Sequence, residues 1–126
     1  MSWTASDYLL FLEALYNKTI LPDNLFNPLS TDQISSASID NSPALLIGKD
    51  WHYGYGIWIE CDANPYNCTQ STKVSSPGAF GAYPFMDLKN KYYGILARQG
   101  AFGTFAEGID IFESVSQKLE TWAAME

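Results

Sequence analysis

"STKVSSPGAFGAYPFMDLKNKYYGILARQG", residues 71–100, decides the fold. Residues 73–76 start one strand. Residues 80–86 form the next, or a bent continuation of it, after a Pro-Gly corner. "DLKNK" is a turn, and "YYGILARQ" is a last strand whose apolar run suits the centre of a sheet. Upstream, "HYGYGIWIEC" (residues 52–61) alternates around glycines. Tyr53, Tyr55, Ile57 and Ile59 fall on one face and Gly54, Gly56 and Trp58 on the other, which reads as one further strand.

Helical patterns flank these strands. In "TASDYLLFLEALYNKTI" (residues 4–20), Thr4 or Ser6 can cap a helix and Asp7 favours its positive end. Leu9, Phe11, Leu12, Leu15 and Tyr16 recur at helical spacing, and Pro22 forbids continuation. In the closing "TFAEGIDIFESVSQKLETWAAM", Ile111, Val115, Leu119 and Trp122 sit three or four apart as a core-facing stripe. Residues 21–51 are rich in Pro, Ser, Asp and Asn and read as loop, with short helical turns near 24–26 and 31–36. The expected architecture is α+β: an antiparallel sheet of about four strands with an N-terminal helix and a C-terminal helix packed on it. The 126 residues make a single domain, and the long loop suggests that they belong to a larger parent.

Composition narrows the function. Apolar residues are 47% and charged residues only 17%, which argues for a packed globule and against disorder. The net charge is -7 and no Lys/Arg cluster appears, which argues against a nucleic-acid partner. No apolar run approaches the ~20 residues of a membrane span. No charged start with an apolar stretch of the signal-peptide kind is visible. One histidine and no second cysteine pair make a metal site improbable, and no cofactor is expected.

Cys61 and Cys68 flank "DANPYN", whose turn formers allow the chain to double back and bring the sulfurs within reach of each other. A disulfide there would close a loop worth roughly 2.5 kcal/mol in chain entropy and would imply an oxidising compartment. The alternative is a pair of free thiols.

A nucleophilic serine needs a base within hydrogen-bond reach. His52 is the only histidine and stands at a strand start, where a structural role is the ordinary one. No lysine falls in a Ser-x-x-Lys pattern and no Gly-x-Ser-x-Gly elbow occurs. Glu60 with Asp62, and Glu107 with Asp110, read as solvated charges. The chain therefore lacks a complete catalytic apparatus.

Four segments resemble, in order, the C-terminal part of the serine β-lactamase/penicillin-binding-protein superfamily, in its class C-like and esterase-like branch. They are "TASDYLLFLEALYNKTIL", "HYGYGIWIE", "SSPGAFGAYPFMDLKNKYYGILARQ" and the closing helix. The resemblance implies that residues 76–78 stand at the family's third motif, a Lys or His, then a small or hydroxylated residue, then Gly. Ser76 takes the first place, Pro77 the second and Gly78 the third, and Ala79 would present its N–H to an oxyanion. Ser76 brings no positive charge and Pro77 no hydroxyl, a departure that argues against recognition of a β-lactam carboxylate. The family's Ser-x-x-Lys and Tyr-x-Asn motifs are absent.

The implied function is one active-site wall of a serine hydrolase acting on a small ester, amide or peptide. This chain would be inactive alone and its parent periplasmic or secreted. The N-terminal strands of the family's sheet are missing here, so a dimer through an exposed sheet edge is expected. The simpler account of residues 75–81 is an ordinary strand bend. A rival reading of the whole is a non-enzymatic, acidic, disulfide-stapled binding module that presents aromatics such as Tyr53, Tyr55, Trp58 or Tyr66.

Overall fold

The computed structural model describes residues 3–35, 37, 39–61 and 71–125. Helix α1 (Ala5–Tyr16) begins where the sequence places it. Thr4 Oγ1 accepts from the Asp7 N–H, and the Asp7 carboxylate accepts from the Thr4 N–H, which satisfies two donors at the helix start. Helix α2 (Asp23–Leu29) follows Pro22. A 3₁₀ turn, Leu45–Ile47, is started by the Ser42 hydroxyl and stopped by Gly48 at φ 72°.

The sheet has five antiparallel strands in sequence order: β1 (His52–Tyr53), β2 (Trp58–Ile59), β3 (Lys73–Ser75), β4 (Tyr83–Asp87) and β5 (Tyr92–Leu96). Helix α3 (Phe105–Ala123) closes the chain. The α+β architecture is as the sequence indicates, with one strand more than expected.

The extra strand comes from residues 52–59, which form a hairpin instead of a single strand. The Gly54 N–H closes its turn on the Ile57 carbonyl at 2.8 Å, and Gly56 sits at φ 85°. A Cβ on Gly54 would lie 2.0 Å from the Leu29 carbonyl oxygen, so this glycine is fixed by close approach of backbone. Residues 80–86 are also not a continuation of β3. A tight turn at 78–82 separates β4 from it.

Alternation along the strands sorts side chains between two cores. On one face Leu12 and Leu15 of α1 and Phe26 of α2 pack against Ile57, Ile59, Val74 and Met86. On the other, Ile109 and Phe112 of α3 pack with Trp51, Tyr83, Phe85 and Tyr92. Phe112 stacks on Tyr83 with ring centroids 4.5 Å apart. Covered on both sides, β4 is buried along its whole length.

Two expectations are corrected. The apolar run of β5 does not mark the sheet centre: β5 is an edge strand. Its residues are apolar because α1 shields one face and α3 the other. The core stripe of α3 is Ile109 and Phe112 with Leu119 and Ala123, while Ile111, Val115 and Trp122 are exposed. Gly108 sets this rotation, since a Cβ there would lie 2.1 Å from the Gly81 carbonyl oxygen. The helix can lie this close to the 78–82 turn only with Gly108 turned inward.

Candidate active-site wall

β3 ends at Ser75, one residue before the predicted motif begins. Its alternation sends Val74 into the α1 core and Lys73 and Ser75 to the α3 side. Ser76 follows immediately and lines the α1 side. Its N–H donates to the Pro84 carbonyl at 3.1 Å, the last bond of the β3–β4 ladder. Pro84 is tolerated inside β4 because its missing N–H faces Ser76, one residue past the end of β3. The chain then turns tightly. The Gly78 N–H donates to the Ala82 carbonyl and the Gly81 N–H to the Gly78 carbonyl, both at 2.8 Å, with Gly81 at φ 87°.

Gly78 is not demanded by packing. A Cβ there would meet Ala82 no closer than 3.6 Å, an ordinary contact. Ala79 is exposed, and its N–H makes no hydrogen bond among the described residues. Its carbonyl is anchored instead, accepting from the Gly103 N–H at 2.8 Å, while the Phe80 carbonyl accepts from Gly100 at 2.7 Å. Two loops that the sequence shows as unrelated are thereby tied together.

Ser76 and Gly78 share a cavity of about 490 Å³ between the start of α1 and the sheet, lined also by Trp3, Tyr8, Pro84 and Arg98. Ala79 stands outside that lining. Burial pushes the Tyr8 phenol upward, so it is a hydroxyl donor at neutral pH. Arg98 is held by Nη1 to the Thr104 carbonyl at 3.1 Å and to Thr104 Oγ1 at 3.0 Å, and by Nη2 to Glu107. The sequence reading passed over Arg98, Trp3 and Tyr8. A signal for Arg98 is present: it is the one arginine of the chain, near the end of the stretch read as the last strand.

The remaining candidates lie elsewhere. Ser75 is 1% exposed, beside Tyr83 in the α3 core. His52 stands on β1, two strands or about 10 Å across the sheet from β3. Its Nδ1 is 2.7 Å from Asp32 Oδ2. Glu60 is not a solvated charge but is 5% exposed, accepting from the Tyr83 hydroxyl with Lys73 Nζ 3.3 Å away. β3's one cation is therefore turned away from the cavity face. Glu107 holds Arg98. Cys61 is buried in the α1 core, while Cys68, Asp62 and Tyr66 lie outside the described residues, and with Cys68 the expected pairing. Tyr53 and Trp58 pack edge to face across the β1–β2 hairpin, which leaves Tyr55 as its exposed aromatic. Among the described residues no cluster of His, Cys, Asp and Glu is placed to hold a metal, and no helix is long and apolar enough to cross a membrane.

No family model matches this sequence, and no curated protein matches it. Among solved structures it is similar to one from Bacteroides dorei described as a "putative beta-lactamase", with a TM-score of 0.61 at 22% identity. The match covers 86% of this chain and 39% of that one. At this identity the likeness is one of architecture: the chain has a β-lactamase-like fold and spans well under half the length of that neighbour.

Proposed function

We propose that this chain is the C-terminal portion of a β-lactamase-like serine hydrolase and supplies one wall of its active site. The observation that carries the reading is the Ser76–Ala79 corner: a glycine that internal packing does not require, beside a cavity, followed by an exposed and uncommitted N–H. In this role a serine outside the chain attacks the carbonyl of a small ester, amide or peptide. The Ala79 N–H then donates to the oxygen that gains negative charge, and the anchored Ala79 and Phe80 carbonyls hold that donor in place. Ser76 offers a neutral hydroxyl where a cation is usual, which favours uncharged acceptors on the substrate.

The chain alone is then inactive, because the Ser-x-x-Lys and Tyr-x-Asn motifs of such hydrolases are absent from its sequence. A Cys61–Cys68 disulfide and a periplasmic or secreted parent belong to the same reading. Exposure to a fluorophosphonate and to a penicillin, followed by intact-mass measurement, tests it. The expected result is no covalent adduct, and a mass two units lower before reduction than after. An acylated serine anywhere in the chain would show that a complete site is present and defeat the proposal.

A further inference from the structure

We infer that the cavity beside Ser76 and Gly78 binds a planar aromatic carboxylate. One wall is apolar and comes from the sheet: Pro84, Ile95 and Ala97. The facing wall is aromatic and comes from the start of α1, where Trp3 and Tyr8 meet edge to face with centroids 6.2 Å apart. Two such walls suit a flat, apolar body, and a cavity of about 490 Å³ is within the size range of small-molecule sites. Its polar lining includes Gln99 beside Arg98.

Charge selects the ligand class. The chain carries -7 overall, yet among the described residues no acidic side chain lines this cavity and the one charged lining residue is Arg98. The contacts of Nη1 to Thr104 and of Nη2 to Glu107 occupy three of the five guanidinium N–H donors. They fix the plane of the group and leave donors on Nε and Nη2. A guanidinium so held matches a carboxylate with little further ordering. Glu107 is its exposed competitor, so the cation is only partly neutralised.

This inference deepens the hydrolase reading and rests on it only in calling the occupant a substrate fragment or product; the binding itself needs no nucleophile. The test is titration of the full 126-residue chain with 2-naphthoate and with neutral 2-naphthamide, by calorimetry and by amide NMR. Naphthoate should bind about tenfold more tightly than the amide, as a charge-assisted contact requires. The shifted amides should include Ser76, Gly78 and Ala97. Glu107→Gln should raise naphthoate affinity about threefold and leave naphthamide unchanged; Arg98→Met should remove the tenfold preference. The Gln variant stands as the test even where Arg98→Met loosens the 98–104 loop. Equal affinity for acid and amide, shifts confined to another face, or no binding at millimolar concentration would each overturn the inference. An acylated serine would overturn the reading of the chain as one wall of an incomplete site and leave this one standing.

Discussion

The Tyr83 hydroxyl donates to the Glu60 carboxylate in the interior, between the sheet and α3. Burial, and then the charge of Glu60, drive the phenol far above its ordinary range, so Tyr83 stays a neutral hydroxyl donor. The charge of Glu60 is answered by Lys73, whose Nζ also lies 4.5 Å above the Phe112 ring. This triad joins β2, β3, β4 and α3 through one buried anion.

Lys73→Met should therefore cost about 3 kcal/mol, because it leaves a buried carboxylate without its cation. Tyr83→Phe should cost about 1–3 kcal/mol, since Lys73 remains to balance the charge. Urea unfolding of the two variants measures both. A Lys73→Met chain as stable as the parent would mean that Glu60 is hydrated or protonated in the folded state.

Acid stability should depend on Asp32. Its burial raises the pKa, but the His52 ring and the N–H groups of Ile34 and Ser35 together hold it below the ordinary value. A depressed folded-state pKa gives stability that is complete above the unfolded value of about 4 and is lost as pH falls through the folded value. The urea midpoint should thus decline below about pH 4, and Asp32→Asn should remove part of that decline. Parallel acid profiles for the two proteins would contradict this.

Gly108→Ala should destabilise the fold although alanine favours helices. The new methyl meets the Gly81 carbonyl at 2.1 Å, backbone that cannot swing aside as a side chain would. Overpacking of this kind costs about 1–3 kcal/mol. A melting temperature raised by the substitution would show that α3 shifts freely on the turn.

The outer edge of β5 should pair with a second copy. Tyr83, Phe85 and Asp87 of β4 face Leu96, Gly94 and Tyr92 in the hydrogen-bonded register, so the backbone groups of Tyr93 and Ile95 point away from the sheet. Light scattering coupled to size exclusion should find dimer growing with concentration. Ile95→Pro, which removes an outward N–H, should abolish it. A monomer at every concentration would count against edge pairing.

The elements legible in the sequence were those with a local cause. The Thr4–Asp7 cap, Pro22 and the 87–91 turn are written in neighbouring residues, and each stands where it was expected. The misread features depend on contacts between distant segments. Gly54 looked like a thinned strand face because Leu29, the reason for the glycine, is 25 positions away. The α3 stripe was misassigned because Leu119 belongs equally to two apolar rows, and only Gly81 decides between them. Of the cavity lining, Ser76 and Gly78 are singled out in the sequence by family likeness alone. Arg98 and Trp3 are not, since no spacing rule places the two ends of the chain around one cavity.

The turn at 78–82 takes its position from the residues that follow it: Gly100 and Gly103 hold its carbonyls, and Gly108 rests on Gly81. Residues 73–112 are therefore the smallest stretch that could be moved into a related scaffold with the corner unchanged. A chimera joined between β5 and α3 would keep Ser76, Gly78 and Ala79 in sequence and lose their placement in space.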